Sequence, residues 1–236
     1  MQMDRIAFEN SLLHPIDTWL GKSKEEIRRL LGDETARMAG YDQHNPHHCY
    51  SLLEHSLRTV DFLPENVSCL LRAAAFFHDI GKPASAKEKE GRLVFYGHAL
   101  ESARIAQKLL EELGYSAKEK NEICFYISHH DDFIPFRAPE EVLGAGNPHL
   151  KIISRNNIRD HLKKYETEIR EWNPPSVRTV WENLFLLCRS DIKAQAETVY
   201  QNGKIVNSRN KKLKKLDFIQ KTAEEYWDEA EGEKCK

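Results

Sequence analysis

Histidine and aspartate recur along this chain in an order that suits a metal centre: His55, the adjacent pair His78-Asp79, His98, the pair His129-His130, and Asp191. Imidazole nitrogens and carboxylate oxygens are ligands for Mn, Fe, Co, Ni, Zn or Mg rather than for metals that seek thiolates. Most of these residues fall at helix ends or on apolar helix faces, where a polar group without a partner is costly. A buried metal centre reconciles the two observations, and a metal centre implies chemistry.

Asp191 makes the case most directly. Val177, Val180, Trp181, Leu184, Leu187 and Cys188 recur at helical spacing, and Asp191 is the next step of that row. An ionised carboxylate on a buried stripe costs several kcal/mol or more unless it is paired or bound to metal. A held proton or an arginine partner is the alternative for an isolated acid, but here further ligands exist. His78-Asp79 closes the apolar run Leu70–Phe77, and Gly81 and Pro83 read as helix-stop signals, placing the pair in a last helical turn. A helix C-terminus carries partial negative charge and favours a cation. The bland reading is a capping histidine beside a solvated aspartate.

The run Ala75-Phe76-Phe77-His78-Asp79-Ile80-Gly81-Lys82-Pro83, preceded by Leu53-Glu54-His55-Ser56-Leu57, resembles the HD superfamily of metal-dependent phosphohydrolases. In detail it looks closest to the HD domain of bacterial tRNA nucleotidyltransferases. Asn45-Pro46-His47-His48, the segment Gly91 to His98, Ile127-Ser128-His129-His130 and Ser190-Asp191-Ile192-Lys193-Ala194-Gln195 all stand in that family's order, with one extra residue before the second glycine. The likeness spans roughly residues 41 to 200. The nucleotidyltransferase head, with its Gly-Gly-x-x-Arg-Asp turn and Asp-x-Asp pair, has no counterpart in residues 1 to 44, so polymerase activity is not carried over.

The resemblance implies the roles. His55, His78, Asp79 and Asp191 would surround one divalent metal ion. With a second ion, Asp79 would bridge, and His98 and one of His129-His130 would complete the site; the phase from Ile127 points at His130. The two-metal arrangement is the expectation, and an exposed histidine at a helix start is the alternative for His98. Two cations about 3.5–4 Å apart bind phosphoryl oxygens and acidify a water that attacks phosphorus in line. Lys82 is placed to reach a phosphate oxygen unless it is a solvated lysine. Asp131 and Asp132 are candidates to protonate a leaving group or to hold ligand histidines. His47 and His48 read as hydrogen-bonded residues at the pocket rim, and His14, His44, His149 and His161 have no supporting context.

These residues must be positioned by helices. The expected fold is all-α, a single helical HD-type domain of about seven to nine helices. A helical extension occupies 1–40, the metal-binding domain 41–200, and a C-terminal helix with a basic and acidic tail 201–236. Ser23 to Glu26 is a capping box opening a helix to about Met38. Further helices are predicted near 51–62, 66–80, 98–113, 118–130, 148–171 and 175–199, with no convincing sheet and Arg92 to Tyr96 extended at most. Asp131 to Asn147, rich in proline and glycine, is a candidate lid. The 35 basic and 37 acidic residues leave a formal charge of -2, so no global field draws the chain to nucleic acid or membrane. Lys204, Arg209, Lys211, Lys212, Lys214 and Lys215 could contact RNA phosphates but more often such a stretch is a solvated helix face. Five cysteines without a Cys-x-x-Cys pair fit a reducing compartment. With no signal peptide or apolar stretch of 18 residues, a cytoplasmic location is expected. The leading function is a phosphohydrolase or phosphodiesterase acting on a phosphorylated small molecule such as a nucleotide. A di-iron HD-type oxygenase and a non-catalytic RNA- or partner-binding module are the other classes, and the oligomeric state is open.

Overall fold

The structure is a computed structural model that describes residues 3–137, 151–174, 176–201 and 204–234. Helices dominate, and eight of those described run nine residues or more. α1 (Arg5–Ser11), α2 (Pro15–Trp19) and α3 (Lys24–Met38) precede α4 (Leu52–Asp61) and α5 (Cys69–Phe77). A short α6 (Lys82–Ser85) leads into β1 (Lys87–Lys89) and β2 (Arg92–Val94), then α7 (His98–Glu112) and α8 (Ala117–His129). β3 (Phe136–Arg137), β4 (Lys151–Ile152), α9 (Arg155–Lys164), α10 (Glu166–Glu171) and α11 (Val177–Lys193) follow. β5 (Thr198–Gln201) and β6 (Lys204–Ser208) lead to α12 (Arg209–Lys234).

The nearly continuous apolar sequence of α5 dictates its place at the centre. Every residue from Leu71 to Phe77 is buried, and α4, α7, α8, α11 and α1 all pack against this helix. Burying one phenylalanine side chain contributes roughly 1.5–3 kcal/mol, and Phe76 and Phe77 share an aromatic cluster with Phe8 and Trp19. The outer helices α1 and α2 thereby fix the element that ends in His78-Asp79. Arg72, the one charged residue of α5, is buried and donates to the carbonyls of Pro64 and Glu65 at 3.2 and 3.1 Å. Serine caps start α4, α5, α8 and α11, and the capping box of Ser23 and Glu26 is present.

Several boundaries differ from the sequence reading. The helix from Ser23 to Met38 kinks at Gly32, whose φ of +82° is open only to glycine at little strain. In place of one helix over 148–171, the described residues give β4, α9 and α10. The Lys151 and Ile153 amides donate to Pro135 and Arg137 carbonyls, pairing β4 with β3 in parallel, and Ser154 then caps α9. The helix over 175–199 stops at Lys193. The Ala194 carbonyl meets the His55 ring at 3.2 Å, and the Ala196 amide donates to the His47 carbonyl. Continuing the helix would give that carbonyl to the amide of residue 198 instead. Residues 198–201 and 204–208 form an antiparallel hairpin, so α12 begins at Arg209 rather than near 201. Three two-stranded sheets appear among the described residues, none large enough to alter the all-α class. Of the loop read as a lid, residues 138–147 lie outside the described residues. Its first part is anchored, with Phe133 stacked on Phe185 at 4.7 Å.

Candidate metal centre

Helix termini deliver the site. His55 lies in α4 on the face that also buries Leu52, Ser56 and Thr59. His78 caps the C-terminus of α5, and Asp79 follows it. His98 is the first residue of α7, entered through Gly97 at φ +77°, a left-handed turn that needs glycine here. His130 caps the C-terminus of α8, and Asp191 occupies the last turn of α11. Three helices therefore present C-terminal partial negative charge toward one place, which favours a cation.

The six side chains meet around Asp79, which is 1% exposed. Its Oδ2 lies 3.4 Å from His55 Nε2 and 3.2 Å from His78 Nε2. Its Oδ1 lies 3.1 Å from His98 Nε2 and 3.6 Å from His130 Nε2. Asp191 Oδ1 closes the first half, 2.9 Å from His55 Nε2 and 3.7 Å from His78 Nε2. Asp131 borders the second half, 3.2 Å from His98 Nε2 and 3.6 Å from His130 Nε2. His55, His78 and Asp79 form one group able to hold a metal ion, and Asp79, His98 and His130 a second. Asp79 is common to both.

Each imidazole is turned the same way. The Nδ1 atoms of His55, His78, His98 and His130 meet the carbonyls of Ala194, Ala75, Phe95 and Ile127 at 3.2, 2.8, 2.9 and 2.7 Å. A carbonyl only accepts, so in each neutral ring Nδ1 carries the proton and Nε2 keeps its lone pair. Yet the Nε2 atoms of His55 and His78 face each other at 3.3 Å, as do those of His98 and His130. Two lone pairs that close repel unless something positive lies between them. Asp79 Oδ1 adds to the demand, being buried with no hydrogen-bond partner. Ligand atoms about 2.0–2.2 Å from a shared cation lie roughly 3–3.5 Å from one another. The observed spacings fit that value, and the donor set of imidazole and carboxylate fits a divalent metal.

Titration tells the same story. Burial opposes a charge on His78, but Asp79 and Asp191 outweigh it and push the ring up to about 10. Burial also disfavours the Asp79 and Asp191 carboxylates, which the surrounding histidines nonetheless hold well below the usual range, with help from Lys82 at Asp79. His130 is raised in turn against its burial, chiefly by Asp131 and Asp79. The centre demands positive charge, and a proton on His78 is the smallest amount that answers it.

The other residues divide around this centre. Lys82 Nζ lies 2.6 Å from Asp79 Oδ2, 2.9 Å from Gln43 Oε1 and 3.3 Å from His48 Nε2. These three partners match its three donors, so Lys82 reaches a phosphate oxygen only by giving one up. Burial, then the charge of Lys82, keeps His48 well below the ordinary histidine value, as an acceptor must be. Asp131 stands at the Nε2 side of the ligand rings, not behind them, where backbone carbonyls do the holding. Asp132 faces away from the centre: its Oδ2 is 2.7 Å from His129 Nδ1 and 3.2 Å from His161 Nε2. His129 is thereby turned from the metal groups toward Phe125 and Tyr165. Sequence reasoning gave no role to His161, which is buried among Phe133, Phe136, Tyr165 and Trp181. It also missed Gln43, which no spacing signals, and the approach of Lys212 to the site. Gln195 was visible as part of the Asp191 motif; its Nε2 donates to Asp191 Oδ2 at 3.0 Å.

A family model of the HD domain matches residues 47–171. The chain belongs to the HD domain family. Five of the six clustered side chains lie within the match, while Asp191 lies beyond it and is brought in by α11. A search of curated proteins found no match. HD domains bind divalent metals and belong to a metal-dependent phosphohydrolase superfamily, and the His/Asp cluster is what that membership leads one to look for. No described helix is long and apolar enough to cross a membrane.

Proposed function

We propose that this HD protein is a hydrolase of a phosphoester bond in a nucleotide or related phosphorylated small molecule, using two divalent metal ions. The observation that carries the reading is Asp79, whose two oxygens each face a different pair of histidine Nε2 atoms. His55, His78 and Asp191 would hold one ion with Asp79, and His98 and His130 the other. Bound there, divalent ions supply Lewis-acid charge and a water acidified to near neutral pH. The chain's own residues do the rest. Four backbone carbonyls fix the imidazole rings, and Lys82 orients Asp79 through Oδ2. Asp131, with its side chain 32% exposed, is the carboxylate placed to take the proton of the attacking water and pass it to a leaving oxygen.

The charges agree with an anionic substrate. Asp79, Asp131 and Asp191 carry three negative charges, and Lys82 carries one positive. Two divalent ions would turn that net negative charge positive, which favours a phosphate anion. The test is hydrolysis of nucleoside mono-, di- and triphosphates and 2′,3′-cyclic nucleotides by protein loaded with Mn, Ni or Mg. Turnover that disappears on chelation and in Asp79→Ala is the expected result. No turnover with any metal, together with an iron-dependent absorption band and oxygen uptake, would replace hydrolysis with di-iron oxygen chemistry.

A further inference from the structure

The hydrolytic reading leaves one cation at the site without a role. Lys212, in the first turn of α12, lies outside the residues matched by the family model, yet its Nζ is 3.4 Å from His47 Nδ1. It also donates to Gln195 Oε1, and Gln195 in turn donates to Asp191. An ammonium group is thus seated one side chain behind a proposed metal-ligand carboxylate. Among the described residues no carboxylate lies within ion-pair distance of it, and both hydrogen-bond partners are neutral. His47 is kept neutral, its pKa lowered to about 4 by burial and by the charges of Lys212 and Arg92.

That placement is unfavourable for a lysine with only a structural task. The side chain is half-buried, and burial works against its charge, partly offset by Asp191 and Asp131. A cation in a first helical turn also opposes the helix dipole. An ammonium group has three donors, and two are engaged, leaving one for a further acceptor. Lys82 has no such spare donor, as described above.

We propose that Lys212, seated by His47 and Gln195, is a substrate-binding residue that takes a phosphoryl oxygen and favours dianionic phosphomonoesters over monoanionic diesters. The proposal rests on the hydrolytic reading for the identity of the substrate, but not for the anion site itself. With two divalent ions, Lys82 and Lys212 against three carboxylates, the site carries +3. A monoester dianion leaves +1 and a diester +2, so Lys212 adds more attraction for the monoester.

The variants are Lys212→Met, which keeps length and helix propensity, and Lys212→Arg, which keeps the charge. Three quantities are measured on metal-loaded protein: metal content, inorganic phosphate affinity by calorimetry, and hydrolysis of p-nitrophenyl phosphate and bis(p-nitrophenyl) phosphate. Lys212→Met should retain full metal content while phosphate binds roughly tenfold more weakly, about the worth of one charge-assisted hydrogen bond. KM for the monoester should rise by a similar factor, that for the diester by about twofold or less, and Lys212→Arg should recover most of the loss. Lys212-dependent phosphate binding without hydrolysis of either ester would sink the hydrolytic reading and leave the anion site standing. Hydrolysis with phosphate affinity unchanged in Lys212→Met would overturn the anion site and leave hydrolysis standing. A loss of metal in Lys212→Met would overturn it too, making Lys212 a positioning residue that acts on Asp191 through Gln195.

Discussion

At the residue scale the centre turns on which oxygen faces which ring. Asp79 is the only carboxylate shared by both candidate metal groups among the described residues, so Asp79→Ala should remove both ions and activity together. Elemental analysis of the purified variant checks this, and full metal occupancy would mean that the bridge lies elsewhere. Asp191→Asn keeps volume and the Gln195 contact but loses the charge that holds the cation. Metal affinity should fall by tenfold or more, since even outer residues of metal sites cost about 10–100-fold, and this loss should exceed the loss of stability in chelated protein, where Asp191 supports only the charge on its neighbouring histidines. A variant that binds metal like the parent but unfolds far more readily would make Asp191 a structural carboxylate. The clustered residues were legible because they occupy special phases of strong helical patterns: Asp191 continues an apolar stripe, and His78-Asp79 ends an apolar run. Gln43, His161 and Lys212 were not, because each reaches its partners across a sequence separation that local periodicity cannot encode. Lys212 even sat within a lysine-rich stretch that reads naturally as a solvated face.

At the element scale the helices were readable from capping serines and apolar spacing, and the errors fall where tertiary contacts overrule propensity. Residues 151–153 leave the helical pattern because their amides find the carbonyls of Pro135 and Arg137. Gly81 shows a subtler failure. It reads as a helix stop, but its φ of -81° is ordinary. Its lack of a side chain matters instead because a Cβ there would come within 2.5 Å of the Ser102 amide and 2.9 Å of the His98 carbonyl. The loop after Asp79 and the first turn of α7 therefore touch backbone to backbone, secured by the Gly81 amide donating to Ser102 Oγ at 2.9 Å. Gly81→Ala should force α7 outward, cost about 1–3 kcal/mol as an overpacked contact, and carry His98 away from Asp79. Denaturant unfolding and metal titration check it: stability should drop and the His98–His130 half should lose metal before the other. His98→Ala and His130→Ala ask the related question of stoichiometry. Each should leave about one metal per chain and remove most of the hydrolysis, and a ratio of one in the parent and both variants would rule out the second ion.

At the scale of the whole molecule, cations held by the two groups would cross-link helices α4, α5, α7, α8 and α11, so their binding energy would become folding energy. At a metal concentration a hundredfold above Kd the folded state gains about 2.7 kcal/mol, which for a chain of this size corresponds to a rise in Tm of roughly 5–10 °C. The pH dependence should expose the competition between metal and proton. In metal-free protein His78 is raised from 6.5 to about 10, above its unfolded value. Its contribution to stability is then fully present below pH 6.5 and is lost as pH rises through 10. Asp79 and Asp191 are shifted the other way, well below 3.8, so their contribution is complete in this range and is lost only in acid. A metal ion must displace the proton from His78, and its apparent affinity should climb about tenfold per pH unit for each proton released. Melting curves of chelated and metal-loaded protein, taken at intervals from pH 6.5 to 9.5, should therefore diverge. The metal-free Tm should fall with rising pH while the stabilisation by metal grows. Curves that run parallel across this range would show that no proton is exchanged for the ion, and His78 could then not be a ligand.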